Sequence, residues 1–123
     1  MERTERAYRE EDLALAETVE PEEQVIDCLV KEVKSRHVKR LQSGNCSITY
    51  GFVLDDYLTN CERVADHCSN VAVELIRVSE NRYDLHGYLG DVKDGKGEQG
   101  ARFKELYRTY KDAYRLPENE ASV

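Results

Sequence analysis

The residues best suited to chemistry lie in the segment Cys61–Asn70, CERVADHCSN, which holds two carboxylates, two thiols, an imidazole and an amide. Glu62 and Asp66 are four residues apart, so on a helix they share one face with their β-carbons roughly 6 Å apart. Glu23 and Asp27 repeat this spacing earlier in the chain. Antiparallel packing of two such helices would gather four carboxylates, which suit hard cations and also iron or zinc. The spacing therefore makes these four acids candidate ligands of a divalent or trivalent metal ion.

Three further polar side chains flank this candidate site. Asp55 and Asn70 share the polar stripe of the second acid pair, so they are candidates for an outer shell of hydrogen bonds around a metal. His67 lies about 100° away from that stripe, where a solvent-facing or helix-packing role competes with an outer-shell role. The alternative for all the acids is a solvated helix face. A chain with 25 Asp and Glu residues forms such pairs by chance, and Lys or Arg neighbours would neutralise them equally well.

The sequence does not match known catalytic motifs at their required residue spacings. The chain has no Glu-x-x-His pair, no His-Glu-x-x-His motif, no phosphate-binding glycine loop and no nucleophile elbow. Glu20 and Glu23 form the E-x-x-E half of a helical nucleotide pyrophosphohydrolase motif, but Glu62 and Asp66 are one residue too far apart for its E-x-x-D half. We therefore predict that the protein is not an enzyme.

The elements that must position these residues are helices. Apolar residues recur at steps of three and four from Val19 until Gly44, where glycine favours a helix end. A second, longer stripe covers about residues 47–79, and a third covers about residues 101–114. These patterns predict an all-α fold, an antiparallel three-helix bundle with long helices. On the second helix the predicted buried positions are Leu58, Ala65 and Ala72.

The same patterns divide the chain into three parts. Residues 1–18 are highly charged and predict an exposed N-terminal helical segment. Residues 19–116 form the predicted bundle, with a glycine-rich connector at 83–100, and residues 117–123 form a polar tail.

Composition narrows the function classes. The formal net charge of -7 argues against nucleic-acid binding, which needs clustered Lys and Arg, and favours cations as ligands. Apolar runs are far shorter than the roughly 20 residues of a membrane span, and no secretion leader is evident. The four cysteines could in principle form two disulfides, but Cys61 and Cys68 lie seven residues apart on one predicted helix, too far along its axis to bridge. Reduced thiols and a cytoplasmic location are therefore predicted.

The run from Val19 to Ile76 resembles the PhoU-like domain at the C-terminal, cytoplasmic end of bacterial Na+/phosphate cotransporters. Its Asp/Glu-x-x-x-Asp signature is matched at Glu23 with Asp27 and at Glu62 with Asp66. The more specific resemblance is the frame E-R-x-x-D-H-x-x-N, which this chain matches at Glu62, Arg63, Asp66, His67 and Asn70.

This resemblance implies a three-helix bundle that binds iron or zinc through the acidic motifs and regulates phosphate transport. The implied partner is the membrane-embedded portion or subunit of a phosphate transporter, and a homodimer is a second implied assembly. The chain departs from the family pattern because a complete PhoU protein has two bundles in tandem. A structural helical module for dimerisation or docking, without bound metal, stays open as the alternative function.

Overall fold

The computed structural model describes residues 1–80, 93 and 97–118, and every regular element in these residues is a helix. The all-α prediction is therefore confirmed. The helices are α1 (Glu2–Glu10), α2 (Leu13–Ala16), α3 (Val19–Gln42), α4 (Ile48–Glu80) and α5 (Gly97–Ala113). Most of the predicted connector at 83–100 and residues 119–123 of the predicted tail lie outside the described residues.

The long helices α3 and α4 are antiparallel. Near the start of α3, Glu20 contacts Ser69, and further along it Lys34 contacts Asp55. The turn between the helices contains Gly44 at φ 76°, a left-handed conformation that favours glycine. In the first turn of α4 the backbone N–H of Tyr50 donates to the Ser47 hydroxyl, 3.2 Å away. This hydrogen bond satisfies one of the free N–H groups at the helix start.

The third long helix, α5, packs against α3 and runs parallel to it, as an up-down-up bundle requires. Arg102 near the start of α5 bonds Glu17, just before α3, and Tyr107 lies 3.4 Å from the thiol of Cys28. Phe103 and Tyr110 are the buried aromatic residues of this contact. Helix α3 is thus central, with α4 and α5 both packed against it.

The predicted faces of α4 are confirmed at three positions. Leu58, Ala65 and Ala72 are 7%, 6% and 2% exposed. Their seven-residue spacing keeps them on one side of the helix, where they meet other elements.

The prediction that residues 1–18 form an exposed segment is wrong for the side of α1 and α2 that faces α4. Helices α1 and α2 pack on α4, and Ala7 and Ala16 are each 1% exposed in a cluster with Ala72 and Ile76. The segment holds its shape because Asp12 caps α2, its carboxylate accepting the N–H of Leu15 at 3.0 Å. Alanine adds little to a hydropathy pattern, but its small size lets two helices approach closely.

The four cysteines are unpaired in the structure, as predicted. In the part of the chain that the structure covers, no helix combines the length and apolar character needed to cross a membrane.

Candidate functional site: the acidic row between α3 and α4

The first turns of α3 present three carboxylates towards α4. Glu20, Glu23 and Asp27 recur at steps of three and four, so they form one row along the helix. Glu20 and Glu23 are only 8% and 9% exposed, whereas Asp27 is half-buried. The partial positive charge at the helix N-terminus favours carboxylates in this position.

Glu20 has the most complete set of partners in the row. The Ser69 hydroxyl on α4 donates to one of its carboxylate oxygens. The Lys93 ammonium lies 3.1 Å from the other oxygen. The amide of Gln24 reaches both acids, 3.4 Å from Glu20 and 3.0 Å from Glu23. The Lys93 ammonium, the Ser69 hydroxyl and the Gln24 amide therefore hold the Glu20 carboxylate in place, and Gln24 also orients Glu23.

Glu23 is the acid with a strongly changed affinity for protons. Burial, followed by the negative charges of Glu20 and Asp27, raises the pKa of its carboxyl from 4.5 to about 7, although the Gln24 hydrogen bond and Lys93 act in the opposite direction. Glu23 is thus a mixture of carboxylic acid and carboxylate at neutral pH.

The packing register brings the two predicted acid pairs to the same levels of the bundle. Glu20 contacts Ser69, and Lys34 contacts Asp55. Glu20 and Lys34 are as far apart along α3 as Asp55 and Ser69 are along α4. Between these contacts, an antiparallel register places Glu23 level with Asp66 and Asp27 level with Glu62.

The side chains of the α4 pair nevertheless take other partners. Lys34 lies 3.6 Å from Glu62 and 3.8 Å from Asp55, so the two carboxylates share its single positive charge. Asp66 is exposed because it lies at the edge of the α4 face that Leu58 and Ala65 define. His67 and Asn70 are exposed as well.

Within the described residues, no group of three or more His, Cys, Asp and Glu side chains could hold a metal ion. Of the predicted ligands, the row brings together Glu23 and Asp27, while Glu62 and Asp66 are level with them but do not converge on them. In this arrangement Lys34, Lys93 and the proton of Glu23 offset part of the negative charge.

Sequence reasoning missed several members of this network. The sequence singles out Glu20 only through its spacing to Glu23, yet Glu20 is as deeply buried as Glu23, and no sequence pattern points to Ser69. Lys34 had a detectable signal, since it follows Asp27 by two helical turns on the same face. Lys93 had none, because it comes from the glycine-rich connector.

A groove of about 720 Å³ lies beside the row, between the start of α1 and the faces of α3 and α4. Its acidic side contains Glu22 and Glu23, and its α4 side contains Tyr57 and Cys61. Arg3 closes one end, 2.8 Å from both the Glu22 carboxylate and the Tyr110 hydroxyl. The first residues of the chain thereby join α1, α3 and α5.

Comparison with known proteins places these observations in a family. The PhoU domain model matches residues 1–75, which include α1, α2, the acidic row and most of α4. The chain is 30% identical over 90 residues to the phosphate-specific transport system accessory protein PhoU homolog 1 of Thermotoga maritima. That alignment covers 73% of this chain and 38% of the relative's length. No solved structure gives a significant match. The chain therefore belongs to the PhoU domain family.

Proposed function

We propose that this protein is a regulatory accessory domain of a phosphate transport system. The observation that carries the proposal is the PhoU domain match across residues 1–75, together with a relative named as an accessory protein of such a system. The site chemistry agrees with a non-enzymatic role, since the buried acids of the row are held by Ser69, Gln24 and lysines rather than arranged around a reacting group.

The proposed partner is the membrane-embedded part of a phosphate transporter, contacted at its cytoplasmic face. Cytoplasmic loops of membrane proteins carry an excess of Lys and Arg, and a domain with net charge -7 complements them. The exposed acids Asp55 and Asp56 at the N-terminal end of α4 offer such a surface. A sodium-dependent transporter is the partner that the resemblance favours.

The test is binding and transport in proteoliposomes that contain the phosphate transporter of the same organism. The purified chain should co-sediment with these vesicles but not with empty vesicles of the same lipids, and it should change phosphate uptake. Replacing sodium by potassium decides whether the regulated transport depends on sodium. Equal sedimentation with both vesicles and unchanged uptake would overturn the proposal.

A matched pair of double variants tests the charge argument. Asp55→Asn with Asp56→Asn should weaken vesicle binding several-fold and make it less sensitive to salt. Glu105→Gln with Asp112→Asn makes the same charge change at exposed positions of α5 and should bind like the wild type. Equal loss in both variants would show that only net charge matters.

We propose metal binding by the acidic row as a second function, because the register aligns Glu23 with Asp66 and Asp27 with Glu62. A divalent or trivalent ion, with iron and zinc favoured, would have to displace the Lys34 ammonium from Glu62 and draw Asp66 inward. A metal that binds only the folded state raises its stability by mass action.

The metal proposal is tested by melting the protein with chelator and with added iron, zinc, manganese or magnesium. Metal should raise the melting temperature of the wild type, and Glu62→Gln with Asp66→Asn should abolish that rise. Glu105→Gln should leave it unchanged. If the wild type melts identically under all conditions, the metal proposal fails, and a dimerisation or docking module without metal is the proposal that takes its place.

A further inference from the structure

The groove between the start of α1 and the faces of α3 and α4 has the length and lining of a helix-binding cleft. Each of the two long helices lines it with residues spaced by three or four positions, so one face of each helix forms a wall. The α4 wall runs from Tyr57 to Cys68, about 16 Å at a rise of 1.5 Å per residue, which is the length of about three helical turns. The apolar members of the walls include Val19 and Ile26 from α3 and Tyr57, Val64 and Ala65 from α4.

One long side of this groove is open to water. Tyr57 and Val64, which line it from α4, are 66% and 44% exposed. Exposed apolar side chains along a concave surface mark interaction sites. A small molecule is enclosed over most of its surface in its own site, whereas an amphipathic helix lays only its apolar face into a groove. The open side therefore favours a helix as the occupant.

The charge of the groove selects a basic partner. Among the described residues that line it are three carboxylates, those of Glu2, Glu22 and Glu23, and one cation, Arg3. The Arg3 guanidinium is already paired with Glu22, 2.8 Å away. The acids of the lining thus outnumber its cation, in a protein with a formal net charge of -7. Such a surface attracts a basic segment and repels an acidic one.

Glu23 determines which kind of side chain the partner must supply. Its carboxylate lines the groove, is only 9% exposed and accepts a hydrogen bond from the Gln24 amide, 3.0 Å away. A cation that reaches it must cross the apolar wall. Lys and Arg suit this path because an apolar stem carries their charged head. A charge-assisted hydrogen bond to a partly buried carboxylate is also stronger than one in water.

We propose that this groove binds an amphipathic helix of another protein, whose apolar residues pack between Ile26 and Val64 and whose Lys or Arg pairs with Glu23. This inference does not depend on the proposed role in phosphate transport. It commits the groove to a partner with a definite pattern: apolar residues at i, i+3 or i+4 and i+7, with a basic residue beside them.

The first test selects binders from a displayed library of helical peptides of about four turns, with their outward positions randomised. Selection on the immobilised wild type uses chelator, which removes competing metal, and a pH near 8.5, above the Glu23 pKa of about 7. Selected peptides should carry the pattern given above. Replacing their basic residue by Glu should weaken binding at least 10-fold. A library that yields no binders, or binders without a basic residue, would overturn the inference.

The second test locates the selected peptides by fluorescence polarisation. Val64→Asp should weaken their binding at least 10-fold, whereas Val38→Asp, at a 50% exposed valine on α3 outside the groove, should bind like the wild type. Glu23→Gln should weaken binding several-fold and abolish the preference for Lys over Gln in the peptide, and Glu105→Gln should keep that preference. Equal affinity of the wild type and Val64→Asp would place the peptides elsewhere and contradict the inference.

Sedimentation equilibrium excludes a second copy of the chain as the occupant. The wild type and Val64→Asp should have the same mass at the concentrations used for selection. A larger mass for the wild type than for Val64→Asp would show that another copy fills the groove, and the inference would then be wrong.

Discussion

Replacing Glu23 by Gln changes the one acid of the row that the fold holds against ionisation. The neutral amide keeps the shape of the protonated carboxyl and removes its titration. The carboxyl's pKa is 4.5 in an ordinary setting and about 7 in the folded protein. Because each unit of pKa is worth about 1.4 kcal/mol, ionised Glu23 destabilises the folded state by about 3 kcal/mol at most.

The direction with pH follows from proton binding. Since the folded pKa is above the unfolded pKa, the folded state binds more protons between pH 4.5 and 7. The stability that this proton contributes is fully present below pH 4.5 and is lost as the pH rises through 7. Glu23→Gln should therefore match the wild type near pH 4.5 and be more stable by up to about 3 kcal/mol near pH 8.5.

Urea unfolding of both proteins between pH 4.5 and 8.5 measures this difference. Glu105→Gln removes an exposed carboxylate on α5, so its stability should follow the wild type across the range. Parallel pH profiles for Glu23→Gln and the wild type would refute the reasoning, because they would mean that the buried acid row leaves the pKa of Glu23 near its ordinary value.

Three further changes probe the packing and charge of the bundle by urea unfolding. Leu58→Asp buries an unpaired charge and should lower the free energy of unfolding by on the order of 3 kcal/mol, whereas Asn60→Asp, on the exposed side, should be mild. Gly51→Ala adds a β-carbon 2.6 Å from the His37 ring, and this clash should cancel the gain in helix propensity of about 1 kcal/mol. The gain should therefore appear only when His37→Ala is also present. Lys34→Met leaves two partly exposed carboxylates without their cation and should lower stability by less than about 1 kcal/mol, a loss that high salt should diminish.

The long helices were predictable because their apolar periodicity and end signals agree. The stripe from Val19 ends where Gly44 adopts its left-handed conformation, and α4 begins within one residue of the predicted position. The structure starts α5 at Gly97, four residues before the predicted start at 101, because the low helix propensity of the glycines at 97 and 100 favours a later start. Gly100 is in fact a buried residue of α5, where tertiary packing overrides its low helix propensity.

The acidic row was predictable only in part, for a reason that lies in helix geometry. Spacing along one helix decides which carboxylates share a face, so the level at which Glu23 meets Asp66 follows once the helices are antiparallel. Spacing does not decide which way a long side chain turns, nor which cation arrives from elsewhere in the fold. Lys34 turns to Glu62 from the partner helix, and Lys93 reaches Glu20 from the connector.

These two lysines alter the electrostatic argument for a metal. Four carboxylates between packed helices repel each other unless positive charge or protons intervene, and spacing alone suggests a metal ion for that role. In the folded chain, Lys93 neutralises Glu20, Lys34 neutralises Glu62, and the raised pKa of Glu23 leaves that acid partly protonated. Lys34 and the proton of Glu23 therefore relieve part of the repulsion without a metal. A partly exposed ion pair such as that of Lys34 contributes at most about 1 kcal/mol, so it is weak enough for a tightly bound cation to displace. Hence a metal at the acid row, as proposed above, would have to compete with Lys34 for Glu62.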